Sequence, residues 1–182
     1  MRLISCLLFI ITIIIFFIFQ STKASNLINE TCKQSIQDNP TSKYGFCLTS
    51  LQAAPASRCA TVRGLGSIGI RLVRYNITDA RCHIMHLLKE KKHDLYYRAC
   101  LNDCFQLYSE ALDSVKKAMK NYNGKRFNDA NIHISAVMTS VTTCEDGFKE
   151  RKGIVSPLTK RNDDTFQLSA IVLFIMNFIQ KG

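Results

Sequence analysis

The chain has 182 residues, of which 47% are hydrophobic, and a formal net charge of +10. This length is enough for one hydrophobic core, and the hydrophobic content excludes a wholly disordered protein. Only eight glycines and three prolines are present, which disfavours a fold of many tightly turned strands and favours helices.

The first 24 residues have the pattern of a secretory signal peptide. Arg2 precedes an apolar run over residues 3–19, and the small residues Thr22 and Ala24 follow that run. We place the cleavage after Ala24. The alternative is an uncleaved membrane anchor, but the run is slightly shorter than the roughly 20 residues that a membrane span needs.

Removal of residues 1–24 leaves a basic and cysteine-rich chain. Two cations and Cys6 are lost, so a net charge of +8 and seven cysteines remain. A secreted chain folds in an oxidising compartment, where disulfides are favoured over metal thiolates. N-glycosylation sequons at Asn29 and Asn76 fit this route. We therefore expect an extracellular protein with no membrane segment once the signal is removed.

An N-terminal α-hairpin is predicted for residues 25–56. Two short helical patterns flank a turn at 38–41, where Pro40 ends the first helix. Pro55 then separates this hairpin from residues 57–182, which we interpret as a helical bundle. Hairpin and bundle together are expected to form one domain.

Four long amphipathic patterns follow, over about residues 57–89, 94–122, 128–152 and 164–179. Asp94 and Asp164 mark predicted helix starts, and Asn123-Gly124 predicts the end of the second helix. Apolar residues recur at spacings of three and four, which is the period of one helix face. Because most of the links are short, we predict an all-α, up-down-up-down antiparallel four-helix bundle. The predicted apolar seams are Ile70, Val73, Ile77, Ala80, Ile84 and Leu87; Leu101, Cys104, Tyr108, Ala111, Val115, Ala118 and Tyr122; Ala130, Ile134, Val137, Val141, Cys144 and Phe148; and Leu168, Ile171, Ile175 and Phe178.

Two cysteine pairs are level with each other in the predicted hairpins. Cys104 and Cys144 each lie 20 residues from Gly124, so both are about 30 Å from that turn at 1.5 Å per residue. Cys32 and Cys47 are symmetric in the same way about the turn at 38–41. The spacing therefore predicts disulfides Cys32–Cys47 and Cys104–Cys144, while other connectivities stay open.

The remaining mature cysteines are Cys59, Cys82 and Cys100, an odd number that cannot all pair within one chain. Cys82 and Cys100 are symmetric about the next turn and form a candidate third disulfide, although Cys82 lies opposite the apolar seam of its helix. Zinc-type ligands are also offered by Cys82, His83 and His86, with Cys100 and Cys104 downstream. Since secreted cysteines are usually oxidised, we interpret the histidines as solvent-facing and expect no metal site.

No catalytic constellation stands out in the sequence. It contains no G-x-S-x-G elbow, H-E-x-x-H motif or phosphate-binding loop. Glu145 and Asp146 are adjacent, but adjacent residues on a helix point about 100° apart, which suits a binding surface better than an acid–base pair. Basic clusters at 89–92 and 149–152 fall at predicted helix C-termini, where the helix dipole favours cations. We expect neither an enzyme nor a cofactor nor a nucleic-acid partner.

Several segments, taken together, resemble the plant invertase and pectin methylesterase inhibitor family. They are Thr31-Cys32, Tyr44-Gly45-Phe46-Cys47, Leu101-Asn102-Asp103-Cys104-Phe105-Gln106-Leu107-Tyr108, Ser135-Ala136 and Thr143-Cys144-Glu145-Asp146-Gly147-Phe148. The last segment, continued through residue 159, is most similar to the pollen-allergen-like branch labelled "putative invertase inhibitors".

The resemblance implies a disulfide-stapled four-helix bundle with an N-terminal α-hairpin, and the same two disulfides. It further implies a secreted inhibitor in the cell wall (apoplast) that covers the active-site cleft of its target in a 1:1 complex. Carried onto this chain, the target-binding surface would include Thr143, Glu145 and Asp146, with the loop at 153–162. Phe148 belongs to the same segment, but it lies on the apolar seam, so we assign it to the core.

Two target enzymes are compatible with the resemblance. We favour pectin methylesterase, on its frequency in the family alone. The basic net charge favours acid invertase instead, because many such esterases are basic and like charges slow encounter. The alternative from another class is a non-inhibitory, allergen-like secreted module that binds acidic cell-wall polysaccharide such as pectin.

Overall fold

The computed structural model describes residues 25–37, 41–90 and 94–181, and the regular structure in these ranges is entirely helical. The predicted signal peptide and most of the turn at 38–41 lie outside the described residues. The helices are α1 (25–37), α2 (Tyr44–Ala53), a short 3₁₀-helix (Pro55–Cys59), α3 (Val62–Lys89), α4 (Leu95–Asn123), α5 (Phe127–Lys149) and α6 (Thr159–Lys181). Over these ranges, no helix combines the length and the apolar character that a bilayer crossing requires.

Helices α3 to α6 confirm the predicted four-helix bundle. Helix α3 packs on α4, α4 on α5, α5 on α6, and α6 back on α3. This ring of contacts places α3 diagonally across from α5, and α4 diagonally across from α6. The outward faces of α3 and α5 therefore point in opposite directions.

The predicted seams form the core of the bundle. Every predicted seam residue of α4 and α5 is buried. On α3 the seam is buried as far as Ile84, and Leu87 is half-buried. On α6 the prediction is wrong for Phe178, which is 44% exposed and lies beside Phe174 in the last turns of the helix.

Two helix starts differ from the prediction. Helix α3 begins at Val62, because Thr61 caps it by accepting a 3.2 Å hydrogen bond from the Gly64 amide, and the residues before it form the 3₁₀-helix. Helix α6 begins at Thr159, so Asp164 lies within the helix and pairs with Lys160 instead of capping it.

The turn between α4 and α5 lies where it was predicted. The Gly124 amide closes α4 by donating to the Lys120 carbonyl at 3.1 Å. The left-handed backbone conformation, however, falls on the next residue, Lys125, whose φ is +58°.

Two disulfides join the pairs that the turn symmetry predicts. Cys32–Cys47 links α1 to α2 with a Cα–Cα distance of 5.7 Å, and Cys104–Cys144 links α4 to α5 at 4.9 Å. The α1–α2 hairpin also packs on α3 and α6 through a second apolar cluster, made of Ile28, Cys32, Cys47, Leu51, Leu65, Ile68, Ile171 and Ile175.

The candidate third disulfide is not formed. Cys82 is exposed on α3, whereas the buried Cys100 thiol faces α5 and donates to the Gly147 carbonyl at 3.5 Å. The two side chains leave their helices in different directions, as the position of Cys82 opposite its apolar seam had suggested.

Candidate functional site

The surface selected from the sequence lies on the C-terminal half of α5. Because the bundle is antiparallel, α4 and α6 begin at this same end and flank α5 on either side. We call this region the α5 end, and define it by residues 141–158 of α5 and the following loop, together with the first turns of α4 and α6.

Thr143 and Asp146 line the α4 side of the α5 end. Both are exposed, and they border a groove of about 370 Å³ between α4 and α5. Asp146 also pairs with Lys149 at 3.0 Å, one turn further along α5. The other residues lining this groove are Tyr96, Ala99, Cys100, Asp103, Cys104, Leu107, Cys144, Gly147 and Glu150.

Glu145 lies on the opposite side of α5, toward α6. It borders a second groove, of about 350 Å³, whose lining includes Thr142, Thr159 and Phe166. One carboxylate oxygen accepts a 2.8 Å hydrogen bond from the Thr159 hydroxyl, and the other accepts a 2.7 Å bond from the Asn162 amide group. The structure thus divides the three predicted contact residues between two grooves, and both oxygens of Glu145 bond to α6.

A buried hydrogen-bond network continues from Glu145 into the core. Asn162 is 4% exposed, and its side-chain oxygen accepts a 2.7 Å bond from the Tyr108 hydroxyl on α4. Burial raises the pKa of Tyr108 well above its ordinary value, so the phenol stays a neutral donor. Tyr108, Asn162 and Glu145 therefore tie α4, α6 and α5 together directly beneath the candidate surface.

The end of α5 is also fastened to the start of α4. The Tyr96 hydroxyl donates a 2.8 Å bond to the Gly147 carbonyl. Arg151 lies over the Tyr96 ring at 5.4 Å and pairs with Asp94 at 3.3 Å. Asp94 is itself the N-cap of α4, as predicted, and accepts from the Tyr97 amide at 2.8 Å.

The loop between α5 and α6 is shorter than predicted. Residues 159–162 form the first turn of α6, so the loop covers 150–158. Gly153 adopts a φ of +88°, which favours glycine. Leu158 is fully buried and anchors the loop to the core, while Val155 remains 78% exposed. The loop therefore presents one apolar side chain to solvent from an anchored base.

The other predicted residues contribute no exposed side chain to the α5 end. Asn29 on α1 is half-buried and accepts a hydrogen bond from the Tyr44 hydroxyl, and Asn76 is half-buried on α3. On α3, His86 is exposed as expected, whereas His83 is half-buried, so the interpretation as solvent-facing is wrong for His83. No group of three or more His, Cys, Asp or Glu suited to a metal ion occurs within the described ranges. Phe148 is fully buried and meets the Tyr97 ring edge-on, at 5.4 Å between centroids.

Comparison with known proteins gives consistent results. The profile of the family described as "Plant invertase/pectin methylesterase inhibitor" matches residues 26–175. A protein of Platanus acerifolia named "Putative invertase inhibitor" is 40% identical over 162 residues, covering 89% of this chain and 90% of that protein. "Pectinesterase inhibitor 12" of Arabidopsis thaliana is 29% identical over 177 residues, covering 94% and 99% respectively.

A solved structure shares the fold. The crystal structure of a mutant pectin methylesterase inhibitor from Arabidopsis has a TM-score of 0.66 and 19% sequence identity, and the match covers 74% of this chain and 88% of that one. With the profile match over most of the chain and the 40% identical relative, this chain belongs to the plant invertase/pectin methylesterase inhibitor family.

Proposed function

We propose that this protein is a secreted inhibitor of a plant cell-wall carbohydrate-active enzyme, and that its target is an acid invertase. The observation that carries the choice of target is the 40% identity, over nearly the whole chain, to a protein named as an invertase inhibitor. The corresponding identity to "Pectinesterase inhibitor 12" is 29%. Family membership favours this function over a non-inhibitory module that only binds polysaccharide.

Steric occlusion by a rigid surface is the mechanism that the α5 end supports. A surface that is already ordered loses less conformational entropy when it binds. Here the Cys104–Cys144 disulfide and the buried Tyr108–Asn162 hydrogen bond lie directly behind α5. The exposed edge of α5 is thus held in position before the target arrives.

The residues of the α5 end divide into two roles. Thr143, Asp146 and Val155 are exposed and available for direct contact with the enzyme. Glu145 has a positioning role, because both its carboxylate oxygens are engaged by α6. The proposed contact surface is therefore the α4-facing edge of α5 together with the tip of the 150–158 loop.

Secretion to the apoplast is part of the proposal. It is supported by the signal-peptide pattern of residues 1–24, the two disulfides and the two sequons. Expression of the full chain with a C-terminal tag in plant cells tests it. Recovery of a product that begins at residue 25 from the wall fluid is expected, and retention of residues 1–24 on a membrane-bound product contradicts it.

An inhibition assay tests the target. The mature chain, residues 25–182, is titrated against a purified acid invertase and, separately, against a pectin methylesterase. We expect loss of invertase activity with a 1:1 end point and no effect on the esterase. Inhibition of the esterase alone would contradict the choice of target, and inhibition of neither enzyme at micromolar concentration would contradict the inhibitor function itself.

A further inference from the structure

Charge is unevenly distributed between the two diagonal helices of the bundle. Helix α3 contains five basic residues and one acidic residue, whereas α5 contains one basic and three acidic residues. Helix α3 therefore has a net charge of +4 and α5 one of −2, so positive charge is in excess on the helix that faces away from α5. A surface of one charge sign raises the local concentration of oppositely charged partners.

Helix α4 extends this positive surface. The Arg63 guanidinium donates to the Asn123 carbonyl at 3.0 Å, and Arg81 donates to the Ser109 hydroxyl at 3.2 Å. These two bonds align the antiparallel helices, so the stretch of α3 between the two arginines runs beside the C-terminal half of α4. We define the α3–α4 strip by Arg63, Arg71, Arg74, Arg81, Lys116, Lys117 and Lys120. From Arg63 to Arg81 it extends about 27 Å along α3 at 1.5 Å per residue.

The strip is poor in neutralising carboxylates. Elsewhere cations meet acidic side chains at close range, as in Lys43–Asp163 at 2.8 Å and Arg161–Asp79 at 2.9 Å. Within the described part of the chain, one strip residue forms a close ion pair with a carboxylate: Lys116, which pairs with Asp113 at 3.0 Å. Lys117 and Arg81 act on the same carboxylate from further away. Arg71, Arg74, Lys117 and Lys120 are exposed and form no ion pair with any described residue.

We propose that the α3–α4 strip binds a linear carboxylated polysaccharide and retains the inhibitor on it while the α5 end engages the enzyme. Guanidinium groups bind carboxylates through paired hydrogen bonds, and a straight row of cations suits an extended polyanion better than a small anion. Tyr75, next to Arg74, is 71% exposed and offers an apolar ring face to the sugar units. The choice of a polysaccharide rests on the proposed cell-wall function.

A lipid surface fits the strip less well. A helix that lies on a membrane needs a free apolar face beneath its cations. The apolar face of α3, from Ile70 to Ile84, is instead buried in the bundle core. The strip therefore offers charge at the surface but no continuous apolar face that could enter a bilayer.

Both partners can be bound at once. The strip lies on α3 and α4, and the outward face of α3 points away from that of α5. A glycan on Asn76 would also leave the strip accessible, because residues two apart on a helix point about 200° apart and Asn76 follows Arg74 by two positions. Retention on the polysaccharide is therefore expected to leave enzyme inhibition intact.

The test compares two forms of one polymer. The mature protein is titrated with polygalacturonate and with the same polymer after extensive methyl esterification, which removes the negative charges. We expect binding to the first at low salt, its loss as ionic strength rises, and little binding to the second. Equal binding to both polymers, binding to neither, or tighter binding to anionic phospholipid vesicles would overturn the proposal.

Matched triple variants locate the surface. The combination Arg71→Gln, Arg74→Gln and Lys117→Gln removes three exposed strip cations, and is expected to weaken polygalacturonate binding by about tenfold or more while leaving invertase inhibition unchanged. The control combination, Lys33→Gln, Lys152→Gln and Lys181→Gln, makes the same change in net charge outside the strip and is expected to retain binding. Equal weakening by both triples would contradict the strip. If the protein inhibits neither enzyme, the proposed inhibitor function fails, but the binding measurements on the strip can still be made and interpreted.

Discussion

Tyr108 and Asn162 meet in the buried interior beneath the α5 end, where the phenol of α4 donates a 2.7 Å hydrogen bond to the side-chain oxygen of an asparagine in the first turn of α6. The amide nitrogen of Asn162 donates in turn to Glu145 on α5 at 2.7 Å. One buried asparagine thus joins three helices behind the proposed inhibitory surface. This network makes the position of that surface depend on the packing of the core.

The first prediction concerns this network. Tyr108→Phe leaves the oxygen of Asn162 buried without its donor, which is expected to lower the free energy of unfolding by about 1–3 kcal/mol. Tyr75→Phe is the control, since that side chain is 71% exposed. Denaturant unfolding of both variants measures the difference, and equal stabilities would contradict the structural role of the bond.

A second prediction uses two glycines within helices. A methyl group on Gly66 would overlap the Tyr122 hydroxyl, which itself donates to the Arg63 carbonyl at 2.8 Å, whereas a methyl group on Gly147 would meet nothing within 4 Å. Gly66→Ala is therefore expected to destabilise the fold by about 1–3 kcal/mol through overpacking. Gly147→Ala is expected to stabilise it by about 0.5–1 kcal/mol through helix propensity. Chemical denaturation measures the change in the free energy of unfolding for each variant. A Gly66→Ala variant as stable as the wild type would contradict the close approach of α3 and α4.

The third prediction concerns the bundle disulfide. Replacement of Cys104 and Cys144 by alanine is expected to lower the free energy of unfolding by about 2–4 kcal/mol, because a link between residues 40 apart restricts the unfolded chain. Cys82→Ala is the control and is expected to change stability by less than about 0.5 kcal/mol, since that side chain is exposed. Peptide mapping of the unreduced protein checks the connectivity independently, and a Cys104 paired elsewhere would disprove it.

The fourth prediction concerns the contact surface of the inhibitor. Asp146→Arg reverses an exposed charge on the α4-facing edge of α5, and is expected to weaken inhibition of the target at least about tenfold, or about 1.4 kcal/mol. Glu110→Arg makes the same charge change at an exposed position of α4 outside the α5 end, and this variant is expected to inhibit like the wild type. Similar inhibition constants for both variants, at unchanged melting temperatures, would mean that the enzyme binds elsewhere.

The fifth prediction is a pH dependence of stability. Burial is the main effect that lowers the pKa of His83 below its ordinary value of 6.5. Arg161 and, more weakly, His86 act in the same direction, whereas Asp79 and Glu90 oppose it. The folded state therefore binds this proton less readily than the unfolded state does. The contribution of neutral His83 to the free energy of unfolding is complete above pH 6.5, and it declines as the pH falls from there toward the folded-state pKa.

Substitution of this histidine checks the assignment. His83→Gln is expected to flatten the decline of unfolding free energy below about pH 6.5, because the residue that takes up the proton on unfolding is gone. His133→Gln, on α5, is the control and is expected to retain the decline, because His133 is not among the groups that act on His83. Denaturant unfolding at several pH values measures both, and an unchanged slope in His83→Gln would contradict the prediction.

Helical periodicity and turn symmetry predict much of this structure, because both depend on local geometry. Apolar residues at every third or fourth position identify the core faces of α4 and α5, and all of these residues are buried. Equal distance from Gly124 places Cys104 level with Cys144. The start of α6, by contrast, does not follow from local geometry. It is set by the burial of Leu158 against other helices and by the bond from its amide to the Ser156 hydroxyl, at 3.1 Å, and not by the acidic residue that resembles a cap.

In the candidate site, too, some features follow from the local sequence pattern and others depend on how the helices pack. The exposure of Thr143 and Asp146 follows from their positions off the apolar seam of α5. The engagement of Glu145 by Thr159 and Asn162 does not, because these residues come together only when α6 packs against α5. Periodicity of apolar residues also carries no signal for a buried asparagine, so the network beneath the surface was not predicted.

The most direct test of the inhibitory function is a titration of acid invertase with the mature protein, followed by the Asp146→Arg variant. An inhibitory function predicts a fall in activity to a 1:1 end point, and an inhibition constant at least about tenfold weaker for the variant. Full invertase and pectin methylesterase activity in the presence of a micromolar excess of folded, disulfide-linked protein would contradict it.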